Sequence, residues 1–107
     1  MTDSNRLALQ TRLEELLGSD NVYFQPPGST QMKYPCIKYD FHKGETNHAG
    51  NRPYSFFPIY DVTVIEKNPE NSIARTLAKN LEGSRYDRGW GADNLYHNNF
   101  VVCYPHG

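Results

Sequence analysis

No stretch of the sequence approaches the length of a membrane span, so nothing in it reads as a transmembrane helix. Charge of neither sign dominates. Eleven basic and 12 acidic residues leave a formal net charge of −1, which argues against an electrostatic grip on nucleic acid. Cysteine is scarce: Cys36 and Cys103 alone make no disulfide framework. Both sit inside strand-like runs and are expected to be small buried apolar side chains. The opening "MTDSNRLALQTRLEELLG" carries acidic residues within its apolar pattern, so it does not read as a signal peptide, and a cytosolic product is expected. Hydrophobic residues make up only 37% of the chain, a modest supply for a core.

Aromatic residues are plentiful. Eight tyrosines, five phenylalanines and one tryptophan stand among 107 residues, a length that fits one domain. A domain of this size buries roughly two-thirds of its unfolded surface and folds alone with little to spare. Tyrosine packs with its ring and keeps a polar tip, which suits half-exposed sheets and interfaces.

Residues 4 to 17 read as a helix, with Leu9, Leu13, Leu16 and Leu17 in one stripe, Ser4 as N-cap and Gly18 at the C-terminal stop. Arg12, Glu14 and Glu15 face water in this reading. Residues 22 to 25 form a short strand that Pro26-Pro27 ends. Residues 36 to 42 alternate, Ile37, Tyr39 and Phe41 on one face against Lys38, Asp40 and His42 on the other. The polar segment 43 to 55, "KGETNHAGNRPYS", contains no aliphatic residue larger than alanine and is expected to be a long hairpin tip or a flexible excursion. Residues 57 to 67 give the strongest strand, with Tyr60, Val62 and Val64 facing opposite to Ile59, Asp61, Thr63 and Ile65. Ser72 is expected to cap a second helix carrying Ile73, Leu77 and Leu81 in one stripe, which Gly83 stops. Residues 86 to 90 and 95 to 104 read as two strands joined by a hairpin through "GADN". The order predicts an α+β fold: a mostly antiparallel sheet with two helices packed on one face.

No catalytic constellation stands out. The four histidines, His42, His48, His97 and His106, have no standard metal spacing, and a site made from His97, Asp93 and Asp87 is less expected than ordinary turn polarity. Glu14-Glu15 and Asp87/Asp93 are paired carboxylates better read as structural. "GWG" lacks the lysine and following helix of a phosphate loop, so Trp90 either packs under a bend, the preferred reading, or is an exposed contact. Arg52, Lys43, Arg85 and Arg88 could line one end of the molecule, but ordinary solvated loop charges are the stronger reading. Three classes remain: a structural subunit that self-associates, a nucleic-acid module using Tyr and Phe on an exposed sheet, and a small enzyme. Net charge weighs against the second, and the missing constellation against the third.

Three stretches carry a resemblance: "VYFQPPGSTQMKYPCIKY", "PYSFFPIYDVTVIEKNPENSIARTL" and "YDRGWGADNLYHNNFVVCY". Together they span about Val22 to Tyr104 and resemble small proteins from tailed-phage structural gene clusters. The helix and sheet order is similar to the tail-terminator (tail-completion) proteins of long-tailed phages. That resemblance implies a hexameric ring in the virion neck, assembled in the host cytoplasm. The ring would cap the tail tube, end its polymerisation and dock to the head connector or stopper protein. It implies no catalytic residue, cofactor, metal or membrane, and no specific nucleic acid, although the ring could surround passing DNA. A head-completion or stopper protein of the same neck is the alternative. Candidate subunit or tube contacts are Lys43, Glu45, His48, Asn51, Arg52, Tyr54, Arg88 and Trp90. The proline-bracketed segment 25 to 35 is expected to be a stiff connection whose presentation to a neighbour needs little ordering.

Overall fold

The computed structural model describes residues 4–28, 31–49 and 52–103, with the backbone alone for 4–5, 42–49 and 52–58. The elements follow as α1 (Ser4–Leu17), β1 (Val22–Phe24), β2 (Cys36–Ala49), β3 (Arg52–Glu66), α2 (Ser72–Asn80), β4 (Ser84–Ala92) and β5 (Leu95–Cys103). One five-stranded sheet has the order β1-β2-β3-β5-β4. Only the β1–β2 pair is parallel, with Val22 opposite Ile37. The fold is the α+β arrangement expected from the sequence.

Both helices lie on one face, because each has apolar residues on one stripe only. Leu9 and Leu13 of α1, with Ala74 and Leu77 of α2 and Leu81 just beyond it, meet Ile37, Tyr39, Tyr60, Val62, Val64, Phe100 and Val102 of the sheet. Tyr39 is buried with its hydroxyl: it donates to Gln10 Oε1 and accepts from Arg6 Nη1 at 3.3 Å. Burial raises the Tyr39 pKa, and the Arg6 hydrogen bond and charge partly oppose that. Arg12 is half-buried rather than solvated, since it donates to Asn80 O at 3.1 Å and so ties α1 to the end of α2.

Glycine terminates α1 as expected. Gly18 has φ +84°, and its N–H bonds Glu14 O at 2.9 Å. The start of α2 departs from expectation. Asn71, in the left-handed region at φ 56°, is the N-cap and makes no side-chain cap bond, while Ser72 is the first helical residue. The buried carboxylate of Glu66, at the end of β3, takes the capping role. Its oxygens accept from Ile73 N at 3.3 Å and from Ala74 N at 3.1 Å.

The segment 43 to 55 is the main correction. Residues 43–49 and 52–55 are strand, paired from Lys43 opposite Ile59 out to Ala49 opposite Arg52. β3 first meets β5 at Ile59 opposite Cys103. Beyond that point, among the described residues, β2 and β3 continue as a two-stranded ribbon. The ribbon lengthens the molecule to 50 × 28 × 22 Å, with a radius of gyration of 14.7 Å. A compact domain of this length has about 13 Å. Polar residues hid the ribbon in the sequence: "KGETNHAGNRPYS" shows no apolar alternation.

Candidate functional site

Ladder registers lay out the sheet face that the helices leave uncovered. One row is Cys36, Ile65, His97 and Trp90; the next is Lys38, Thr63, Asn99 and Arg88; a third is Asp40, Asp61, Val101 and Arg85. Two rows are polar, which lets the face meet water. Asn99 Nδ2 donates to Thr63 Oγ1 at 3.0 Å, and Lys38 lies 4.0 Å from Asp40. A basin of about 400 Å³ sits over Lys38, Asp61, Thr63, Arg88, Trp90 and Asn99.

The first row is apolar and carries the aromatic group. Trp90 stacks on His97 with ring centroids 5.1 Å apart and planes 14° from parallel. The Arg88 guanidinium lies 5.3 Å from the Trp90 ring centre. Trp90 therefore packs on a cross-strand neighbour and not under a bend, and it stays 41% exposed. His97 Nδ1 is buried and has no hydrogen-bond partner among the described residues. Ile65 at 3% exposure lies on this face without a helix over it, and its ladder neighbours are Cys36 and His97.

Behind β4 a polar chain links three elements. Tyr86 Oη donates to Asn98 Oδ1 at 3.0 Å, and Asn98 Nδ2 donates to Asn71 Oδ1 at 3.0 Å. Gly89 is required there, since a Cβ would come 2.6 Å from Tyr86 Oη and 2.7 Å from Asn98 Oδ1.

The candidate contacts divide into two groups. Arg88 and Trp90 come together on β4. Lys43, Glu45, His48, Arg52 and Tyr54 lie along the ribbon backbone, and Asn51 lies outside the described residues. The four basic residues do not gather at one end. Arg85 and Arg88 sit in the sheet, Lys43 at the ribbon base and Arg52 at its tip, seven residues beyond Ile59, or about 23 Å along the strand. His97 is stacked rather than joined to Asp87 and Asp93, and no group of three potential metal ligands occurs among the described residues. Cys36 is fully buried, which pushes its thiol up to about 11, with the Lys38 charge opposing. Cys103 is half-buried, not fully buried as expected.

The connection 25 to 35 joins two parallel strands. Gln25 turns at φ 43°, its side chain accepts from Phe41 N at 3.1 Å, and the Tyr23 hydroxyl accepts from Lys33 N at 3.1 Å. The Tyr34–Pro35 peptide is cis. Sequence reasoning missed Glu66, the stacked His97 and the Asn71–Asn98–Tyr86 chain. A charged residue closing an apolar run, six residues before a helix, was the one signal available for Glu66.

Neither models of known protein families nor curated proteins yield a match to this chain.

Proposed function

We propose that the chain is a structural subunit of the tail-terminator type, which forms a ring in the neck of a long-tailed phage. The ring caps the tail tube, ends its polymerisation and docks to the head connector. No chemical step belongs to this role. The observation that carries the reading is the β2–β3 ribbon, which leaves the sheet after Ile59 and has no third strand beside it among the described residues. An isolated two-stranded hairpin is marginal in water. A chain that keeps such a ribbon gains from a neighbour against which to place it. Exposed aromatics on both faces of the β4–β5 hairpin, Trp90 on the open face and Tyr86 and Tyr96 on the helix side, add a second region for contacts at the β4 edge of the sheet. Two different surfaces on one chain are what a closed head-to-tail ring uses.

The test replaces residues 44 to 52 with a short Gly-Ser turn in the phage gene. Lysates are then viewed by electron microscopy, and the purified variant is melted. Overlong or headless tails, with a melting temperature close to wild type, are the expected result. Normal tails of uniform length joined to heads would overturn the reading.

A further inference from the structure

The two edges of the sheet are unlike. β1 has three residues and runs into Pro26-Pro27, so little can pair with it. β4 has nine residues, no proline and no lysine, and its outer side is unpaired among the described residues. A bulge at Asp87 interrupts its first half, where Tyr86 faces Phe100 and Arg88 faces Asn99. The second half, Arg88–Ala92, is regular over five residues.

The turn beyond it determines which backbone groups point outward. Asp93 and Asn94 have φ 54° and 63°. A two-residue turn with both values positive is type I′, and the residues flanking it, Ala92 and Leu95, form a hydrogen-bonded pair. Pairs alternate along an antiparallel ladder, so Gly91 and Gly89 turn their N–H and C=O away from β5, towards the free edge. Gly89 is explained by Tyr86 and Asn98. Gly91 has no such reason among the described residues: its φ is not positive, and an added Cβ would meet nothing nearer than Leu95 O at 3.9 Å. A glycine inside a strand often marks a bulge, a bend or the close approach of a ligand or another backbone; the bulge of β4 lies at Asp87, and close backbone approach is the reading taken for Gly91.

The matching surface is on the ribbon. β2 is regular from Lys43 to Asn47, again five residues, and contains no proline there. The other ribbon strand holds Pro53 and Pro58, each without an N–H to offer. β1 ends opposite Tyr39, so the outer side of 43–47 has no partner strand among the described residues.

We infer that the free edge of β4 around Gly91 takes the 43–47 strand of a second copy of this chain, extending the sheet from one subunit into the next. The reason to prefer this over β4 pairing with another β4 is completeness. Edge-to-edge pairing closes a two-fold dimer and leaves both ribbons unpaired, whereas ribbon-to-edge pairing uses both open surfaces of every copy. It is also a head-to-tail contact, which closes as a ring. The inference rests on the ring reading above and names the surfaces that make the ring.

The experiment mixes a full-length Glu45→Cys copy with a full-length Ala92→Cys copy and adds a short bis-maleimide. Unmodified copies, with Cys36 and Cys103 only, set the background. A covalent pair joining position 45 of one copy to position 92 of the other is expected. Placing Gly91→Pro on the edge copy removes the outward N–H and should lower that yield about tenfold. Because proline can disturb folding, the Gly91→Pro copy is also melted: a wild-type melting temperature assigns the lost yield to the edge, and an undiminished yield from a normally folded copy would overturn the inference. Electron microscopy of the wild type is run alongside. Crosslinks only between two Ala92→Cys copies would overturn the inference in favour of two-fold edge pairing. Rings by microscopy without the 45–92 crosslink would overturn it while the ring reading stands. Neither rings nor crosslink, with normal tails from the ribbon-shortened gene, would remove both.

Discussion

Glu66 Oε2 accepts a hydrogen bond from Ala74 N at 3.1 Å, and this contact joins the end of the central strand to the first turn of α2. The carboxylate is buried, with its other oxygen on Ile73 N. A negative charge at a helix N-terminus satisfies orphan donors and complements the helix dipole. The same side chain therefore closes β3 and starts α2.

That arrangement separates two substitutions. Glu66→Ala should cost about 2–4 kcal/mol, from charged hydrogen bonds and a buried cavity. Ser72→Ala should cost under about 0.5 kcal/mol, because the Ser72 side chain is exposed and, among the described residues, accepts only from Asn68 Nδ2, at 3.2 Å. Urea unfolding of both variants measures the contrast. A larger loss for Ser72→Ala would restore serine as the working cap and remove Glu66 from that role.

The sequence carried most of the fold, and the reason is physical. Leu9, Leu13 and Leu77 repeat at helical spacing because they face a sheet, and Tyr60, Val62 and Val64 alternate because they face the helices. Where a face is buried, its period shows. The ribbon has no such period, so 43 to 55 could only be read as polar. Glu66, His97 and Asn98 were illegible for a different reason. Their partners Ala74, Trp90 and Tyr86 lie seven to twelve residues away, and only the tertiary fold brings them together. Trp90 and Arg88 were legible as a pair of interest but not as a stack on His97.

The Tyr39 hydroxyl offers a second measurement. It joins Gln10 and Arg6 of α1 to the first half of β2. Tyr39→Phe keeps the ring that contacts Phe24 at 4.9 Å and Tyr60 at 6.0 Å between centroids. The loss should be about 1–2 kcal/mol, for a half-buried hydrogen-bond pair left incomplete. Tyr39→Leu, which also removes the ring contacts, should lose more. Equal losses would mean that the hydroxyl contributes everything and the ring nothing.

Alkaline pH should destabilise the fold through the same strand. The folded Cys36 thiol ionises near 11, above its ordinary value of 9.0, because burial disfavours the thiolate. An unfolded chain therefore releases the Cys36 proton first. The stabilisation is complete below pH 9 and is lost as pH rises through about 11, a difference on the order of 2 kcal/mol. Tyr39, also raised by burial, acts with the same sign. Stability of wild type and Cys36→Ala, compared between pH 8 and 11, should converge as pH rises. Alkylation at pH 8 should modify the half-buried Cys103 well before Cys36. Parallel stability curves would show that Cys36 ionises alike in both states.

The two glycines of β4 give the sharpest contrast within a single strand. They stand two residues apart, both at outward-facing backbone positions, yet only one is required by the chain itself. At Gly89 an added methyl would press on Tyr86 Oη and Asn98 Oδ1 and lie 3.2 Å from His97 O. Neither polar atom can yield freely, since Asn98 is held in turn by Asn71. Gly89→Ala should therefore cost about 1–3 kcal/mol as an overpacked site. At Gly91 the methyl meets only Leu95 O, at 3.9 Å. Gly91→Ala should be neutral or stabilise by up to about 1 kcal/mol, because it restricts the unfolded chain. Thermal melts of the two variants at low micromolar concentration, where neighbouring copies contribute least, measure the difference directly. Equal losses at both positions would show that β4 needs glycine for its own backbone, and would take from Gly91 its meaning as a place left open for a second chain.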